Sequence, residues 1–426
     1  MKKNSKLKSC FIPLLTFFLL TTTNSAIGAE GTGVDTKDGL THIERIRQSK
    51  TSIPLNPDDP TLEVWSAKRD SSMDPKRDPG PIDLTRQGGG MAYVGIPTFF
   101  KQPVALTPED LKAGKVDVAI MGSSLDMSSG RRGAAYGPMA VRTAEGYVPW
   151  GKLAHIYSES VLVNPLNELK VVDYGDAAVD FLSTEKTIVA VYDLVKEIAE
   201  TGTKPFIVGG DHSLMYPDVA ALAAIHGKGK IGVIHFDAHI DAEPGGAGHY
   251  LTHGSPVRML IEEGHIEGKN FVQIGLRGWL VGPEMLEWMR RHQVRYHFMT
   301  EIIKEGWDAV MKQALKEALD GPEKLFISFD LDAFDPAFAP GAGTPEPGGL
   351  TPREIFPILR ALAIQNEIVG MDLVEVNPLV DSGYQTTALV GQRVMREVLA
   401  GMALRKMGIT DPNFRHPQLL NHAGKE

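Results

Sequence analysis

Asp and His are concentrated in three short segments, each directly after an apolar run: Gly209-Gly210-Asp211-His212-Ser213, Asp237-Ala238-His239-Ile240-Asp241 and Asp330-Leu331-Asp332. Side chains alternate along extended backbone, so Asp237, His239 and Asp241 are expected to point one way, and Asp330 to align with Asp332. Taken singly, each would be read as a turn cap or loop residue. Brought together, they crowd like charges that must take up protons or cations. Oxygen and nitrogen donors without sulfur suit Mn2+, with Ni2+, Co2+, Fe2+ or Zn2+ as substitutes. A catalytic zinc keeps three protein ligands and an open position, so His212, Asp237, His239, Asp241, Asp330 and Asp332 fit two divalent metal ions per subunit better than one.

The elements that must position these residues are legible as apolar runs rich in β-branched residues at 116–121, 169–172, 205–208, 231–236, 271–274, 325–329 and 368–373. Helical periodicities separate them: Ile188, Val191, Leu194, Val195 and Ile198 share one face, as do Trp307, Val310, Met311, Ala314, Leu315 and Ala318. Strand-helix alternation with continuously apolar strands predicts an α/β fold whose parallel sheet is buried on both faces. Ligands of such sheets bind beyond the carboxyl ends of the strands, where the three segments lie.

The chain carries 44 Lys and Arg against 53 Asp and Glu, a net charge of −9, which argues against nucleic acid as a partner. Its single Cys, Cys10, excludes a disulfide framework or a thiolate metal cluster. Lys2, Lys3, Lys6 and Lys8, an apolar run at 11–20 and small residues at 26–29 follow the order of a signal peptide, predicting a secreted or periplasmic protein. That run is too short to span a membrane, and no later stretch qualifies. Residues 30–92 read as a polar, Pro- and Gly-rich arm whose hydrophobics, Trp65 among them, would pack on the main domain or a neighbouring subunit. Residues 93–410 form the expected catalytic domain, and 411–426 a tail.

The chain resembles the ureohydrolase family, the arginase- and agmatinase-type amidinohydrolases. The resemblance rests on the three segments together with His253-Gly254-Ser255-Pro256, Asp335-Pro336, Gly343-Thr344-Pro345-Glu346-Pro347-Gly348-Gly349 and Glu375-Val376-Asn377-Pro378. An earlier match runs through Asp126, Gly130, Arg131, Gly133 and Tyr136-Gly137-Pro138 to Arg142. It implies a three-layer α/β/α fold around an eight-stranded parallel sheet, assembled as a homo-trimer or homo-hexamer. It also implies that His212 and Asp241 serve one ion and His239 and Asp332 the other, with Asp237 and Asp330 bridging. Glu375 would grip the guanidinium, and His253 would pass a proton to the leaving amine. Two ions make hydroxide available near neutral pH, and its addition to the guanidinium carbon leads to urea and an amine. Asp211 and Thr344 are expected either to support the site or merely to cap turns.

Within that resemblance the loop Ala242 to Thr252 departs from the arginase pattern, and the N-terminal arm with Met91-Ala92-Tyr93 is closer to agmatinase or guanidine-hydrolase-like members. Glu243 would attract the distal amine of an agmatine-like substrate. Alternatively His249, Tyr250 and Trp279 would narrow the pocket to guanidine or an alkylguanidine, or would simply pack at its rim. Two further readings remain: a one-zinc deacetylase-like hydrolase, against which the six ligands count, and a non-catalytic guanidinium-binding or partner subunit.

Overall fold

Eight strands alternate with helices in the computed structural model, which describes residues 39–48, 77–84, 95–127, 130–144, 158, 160–245, 249, 251–279 and 282–420. The signal-peptide segment 1–29, most of the arm including Trp65, Tyr250 and the last six residues lie outside the described residues. The strands are β1 (Val118–Ser123), β2 (Val171–Asp176), β3 (Lys204–Gly209), β4 (Ile231–Phe236), β5 (Phe271–Leu276), β6 (Arg295–Phe298), β7 (Lys324–Asp330) and β8 (Glu367–Val374). They form one sheet in the order β2-β1-β3-β8-β7-β4-β5-β6, with every pairing parallel.

Side chains of the sheet alternate between two apolar layers. Ile234, Phe236, Ile327 and Leu373 pack against helices Trp307–Ala318, Pro352–Gln365 and Thr386–Lys406. Val233, Phe271 and Phe326 face helices Thr184–Glu200, Met215–His226, Pro256–Glu262 and Pro283–Arg291. This is the expected three-layer α/β/α arrangement. Burial of both faces explains why the central strands read as unbroken apolar runs.

Seven strands coincide with the apolar runs; β6 does not. It is a four-residue edge strand, Arg-Tyr-His-Phe, bonded only to β5 and partly exposed, so its sequence carries no hydrophobic run. The arm contributes a short helix, His42–Gln48, whose Ile43 enters the second apolar layer. No helix among the described residues is long and apolar enough to cross a membrane.

The sheet order matters most for chemistry. β3 and β4 follow each other in sequence, but β8 and β7 are inserted between them. The exits of four adjacent strands, β3, β8, β7 and β4, therefore open side by side at a crevice where strand order reverses.

Candidate metal centre

Each exit uses its own local device to aim a side chain. After β3, Gly210 passes so close to the backbone of Leu125 that a Cβ would lie 1.6 Å from the Leu125 carbonyl oxygen. Asp211 then caps the turn: its Oδ1 accepts from Ser213 N at 3.0 Å and from Ser213 Oγ at 2.5 Å, and its Oδ2 accepts from Met127 N. Its role is thus a turn cap that points His212 inward. The alternation expected for Asp237 to Asp241 and for Asp330 to Asp332 is replaced by tighter turns. β4 ends at Phe236, His239 N donates to Asp237 Oδ1 at 2.6 Å, and Asp241 adopts φ 50. Asp332 sits in a 3-10 turn, with its N–H donating to Asp330 Oδ1 at 2.7 Å. The residues still converge, because carboxylates bonding backbone two residues on close these turns inward.

The convergence is close. His212 Nδ1 lies 2.9 Å from Asp237 Oδ2, 3.1 Å from Asp241 Oδ2 and 3.2 Å from Asp330 Oδ2. His239 Nδ1 lies 2.9 Å from Asp332 Oδ2 and 3.6 Å from Asp237 Oδ1. Two groups of candidate ligand atoms result: His212, His235, Asp237 and Asp241, and Asp237, His239 and Asp332, the atoms of each lying within 4.8 Å of one another. Asp237 belongs to both. All six sequence-nominated residues are therefore gathered at one place.

Their chemistry fits divalent cations. His212 Nδ1 and Asp237 Oδ2 are buried and close to each other, yet have no hydrogen bond among the described residues. Lone pairs aimed at shared space rather than at donors are what a cation needs. Charge regulation agrees. Burial, then the neighbouring Asp332 and Asp237 carboxylates, push the Asp330 carboxyl well above the usual range. Burial opposes the charge on Asp237, but the imidazoles of His212, His235 and His239 outweigh it and hold this carboxyl well below its ordinary value. Burial likewise disfavours charge on His239, yet Asp332 and Asp237 raise it to about 12.

Above the cluster is a cavity of about 190 Å³, lined by His253, Glu375, Thr344, Glu243, Arg277 and Met285 among others. Glu375 leaves β8 with φ 62 and is 1% exposed; its Oε1 accepts from His212 N at 3.3 Å and lies 4.0 Å from His253 Nδ1. Thr344 Oγ1 donates to Asp332 Oδ2 at 3.1 Å, so it steadies that carboxylate. The segment from Asp126 to Arg142 acts as a brace. Asp126 Oδ2 accepts from Gly133 N at 2.6 Å, Asn377 Nδ2 donates to Arg131 O at 2.6 Å, and buried Arg142 clamps Asp173 and Asp176. The Asn377 bond ties this segment to the turn that follows Glu375.

The structure does not bring every nominated rim residue to the cavity. Trp279 is 97% exposed, and His249 lies at the surface 3.7 Å from Glu185; neither lines the cavity. His235 and Gln273 escaped sequence reading because they lie inside strands rather than after them. The available signal was spacing, since His235 is two residues before Asp237.

The fold and this site define a class. Residues 116–401 match the arginase family model, and the chain belongs to that family. It is 35% identical to guanidinopropionase of Pseudomonas aeruginosa over 312 residues, covering 73% of this chain and 93% of that protein. It is also 35% identical to mitochondrial agmatinase of Gallus gallus, covering 72% and 85%. A crystal structure of a hypothetical agmatinase from Burkholderia thailandensis superposes with a TM-score of 0.66 at 30% identity, covering 77% of this chain and 98% of that one. The chain is therefore a hydrolase of C–N bonds in linear amidines, nearer to agmatinase-like members than to arginase.

Proposed function

We propose that the chain hydrolyses the guanidino group of a small guanidino compound carrying a distal amine, of the agmatine type, to urea and an amine, and does so with two divalent ions, Mn2+ first among them. His212 and Asp241 would hold one ion, His239 and Asp332 the other, with Asp237 and Asp330 between. Bound there, the ions supply Lewis acidity and a hydroxide nucleophile near neutral pH. Glu375 presents a buried carboxylate to the guanidinium, with Oε2 left without a hydrogen bond among the described residues. His253, beside Glu375, is placed to deliver a proton to the departing amine nitrogen. Thr344 and Glu375 anchor opposite partners of the cluster, Asp332 and the His212 backbone. Homo-oligomeric assembly and export through the 1–29 segment belong to the same proposal.

One observation carries the choice of substrate. Arg277 is the only Lys or Arg among the described residues lining the cavity, and its guanidinium is already committed to backbone carbonyls. Nε donates to Glu346 O at 3.1 Å, Nη1 to Gly275 O at 3.2 Å, and Nη2 to Asp332 O and Glu346 O at 2.6 Å each. A substrate carboxylate would meet Glu243, Asp241 and Glu375 with only one N–H of Arg277, on Nη1, outside these bonds, whereas an ammonium is matched by Glu243. The small cavity also accommodates guanidine itself, which would not use Glu243.

Urea release from Mn- and Ni-loaded protein tests this with agmatine, guanidine, methylguanidine, 3-guanidinopropionate, 4-guanidinobutyrate and arginine. Agmatine is expected to give the highest kcat/KM, and Glu243→Gln to reduce that value without affecting guanidine. Preference for either guanidino acid would refute the charge argument.

A further inference from the structure

His235 is buried at 0% exposure on β4, with its ring 4.8 Å from that of His212 and edge-on to Phe271. Its Nε2 lies 2.9 Å from Asp237 Oδ2, the same oxygen that His212 Nδ1 approaches at 2.9 Å. By distance alone it qualifies as a further imidazole ligand. The contact at Nε2 is not in line for a hydrogen bond, so that nitrogen by itself does not distinguish a ligand from a donor. The other nitrogen does. Gln273 Nε2 is 3.1 Å from His235 Nδ1 and 2.6 Å from the carbonyl oxygen of Ile240. A carbonyl oxygen only accepts, so the side chain of Gln273 must turn its NH2 group, and not its oxygen, toward both partners. His235 Nδ1 then accepts through its lone pair, which in the neutral ring places the proton on Nε2. A protonated nitrogen cannot coordinate a cation.

We propose that His235 is a positioning residue: its Nε2–H stands 2.9 Å from Asp237 Oδ2 out of line for a hydrogen bond and restrains that carboxylate by charge–dipole attraction and contact, and it is not a metal ligand. Gln273 joins this contact to Ile240, so the segment from Asp237 to Asp241 is clamped at both ends through β5. Ser328, which contacts His212 Nε2 at 2.9 Å, imposes no such choice, because a hydroxyl donates or accepts. His212 Nδ1 is thus free to serve as the ligand while His235 is not. The assignment rests on the metal reading above only for its consequence; the tautomer stands independently of it.

Two measurements on the full-length protein separate these. Nitrogen-15 imidazole spectra of chelator-treated protein, with His235 assigned by its disappearance in His235→Gln, are expected to show the proton on Nε2; a proton on Nδ1 overturns the proposal whatever the metal content. Mn2+ titration then compares variants. In His235→Gln the new Oε1 can accept from Gln273 and the new NH2 can keep an N–H beside Asp237, so full stoichiometry and affinity within about threefold of wild type are expected. His235→Phe keeps an aromatic ring and removes the N–H beside Asp237, and should keep the stoichiometry while weakening affinity ~10- to 100-fold, the usual cost of losing a partner that orients a ligand. Loss of one metal equivalent in His235→Gln, or unchanged affinity in a folded His235→Phe, refutes the role. If His235→Phe fails to fold by circular dichroism, the spectra and His235→Gln still decide. Wild-type protein that binds no metal fails the reading above, not the tautomer.

Discussion

Glu375→Gln isolates the carboxylate proposed to hold the guanidinium. Glutamine has nearly the same shape, and its Oε1 can keep accepting from His212 N, now at 3.3 Å. What is lost is the second oxygen, which has no hydrogen-bond partner among the described residues and is replaced by an NH2 facing a guanidinium N–H. One charge-assisted hydrogen bond is worth about 1.5–3 kcal/mol, so kcat/KM should fall ~10- to 150-fold. The guanidinium is fully cationic when it binds and loses charge as hydroxide adds, so most of the fall is expected in KM. Stability should move the opposite way. Burial first, then Asp330, Asp211 and Asp332, push the Glu375 carboxyl well above the ordinary range. A carboxyl raised in the folded state stabilises nothing above its unfolded pKa and opposes folding once ionised. At neutral pH the chelator-treated variant should therefore melt higher than wild type. Steady-state urea release, metal analysis and thermal melts on one preparation give all three readouts. Unchanged kcat/KM would remove Glu375 from the site, and loss of metal would show that it holds the ions rather than the substrate.

Two further outcomes concern the scaffold. Glu263 accepts from His42 N at 2.7 Å and Tyr216 OH at 2.9 Å and contacts His265 Nε2 at 2.9 Å, tying the N-terminal helix to the domain. Burial opposes its charge, but His265 and His42 outweigh it and lower its carboxyl from 4.5 to about 2. Such a depressed carboxyl contributes on the order of 3 kcal/mol that is present above its unfolded pKa and lost as pH falls toward 2. Urea unfolding between about pH 6 and pH 3 should show a flatter acid limb for Glu263→Gln than for wild type, and identical limbs would refute this reading. Gly210→Ala should cost about 3 kcal/mol or more, because its Cβ would meet the Leu125 carbonyl at 1.6 Å; Gly383→Ala, with nothing within 4 Å, is the matched control. Equal melting temperatures for the two variants would contradict the steric argument.

Most of the chemistry was legible along the chain because metal-binding residues cluster locally. Each of His212, the Asp237 to Asp241 segment and Asp330 with Asp332 follows an apolar run, and a run buried on both faces announces a central strand. Glu375 and His253 were found by their motifs. Edge strand β6 was not found, since a strand bonded on one side needs no apolar run.

Sequence alone determined which residue types stand at strand exits and that their crowded carboxylates must take up protons or cations. Tertiary structure decided what no local pattern encodes. Strand order placed β8 and β7 between β3 and β4, which brings Glu375 against His212. Turn geometry, not strand alternation, aimed the aspartates. Carbonyl contacts took most of the N–H donors of Arg277, and one amide on β5 set which nitrogen of His235 keeps its proton. The physical reason is the same throughout: a side chain's chemical identity is covalent and local, whereas its partners, and hence its protonation and free donors, are fixed only when distant segments pack.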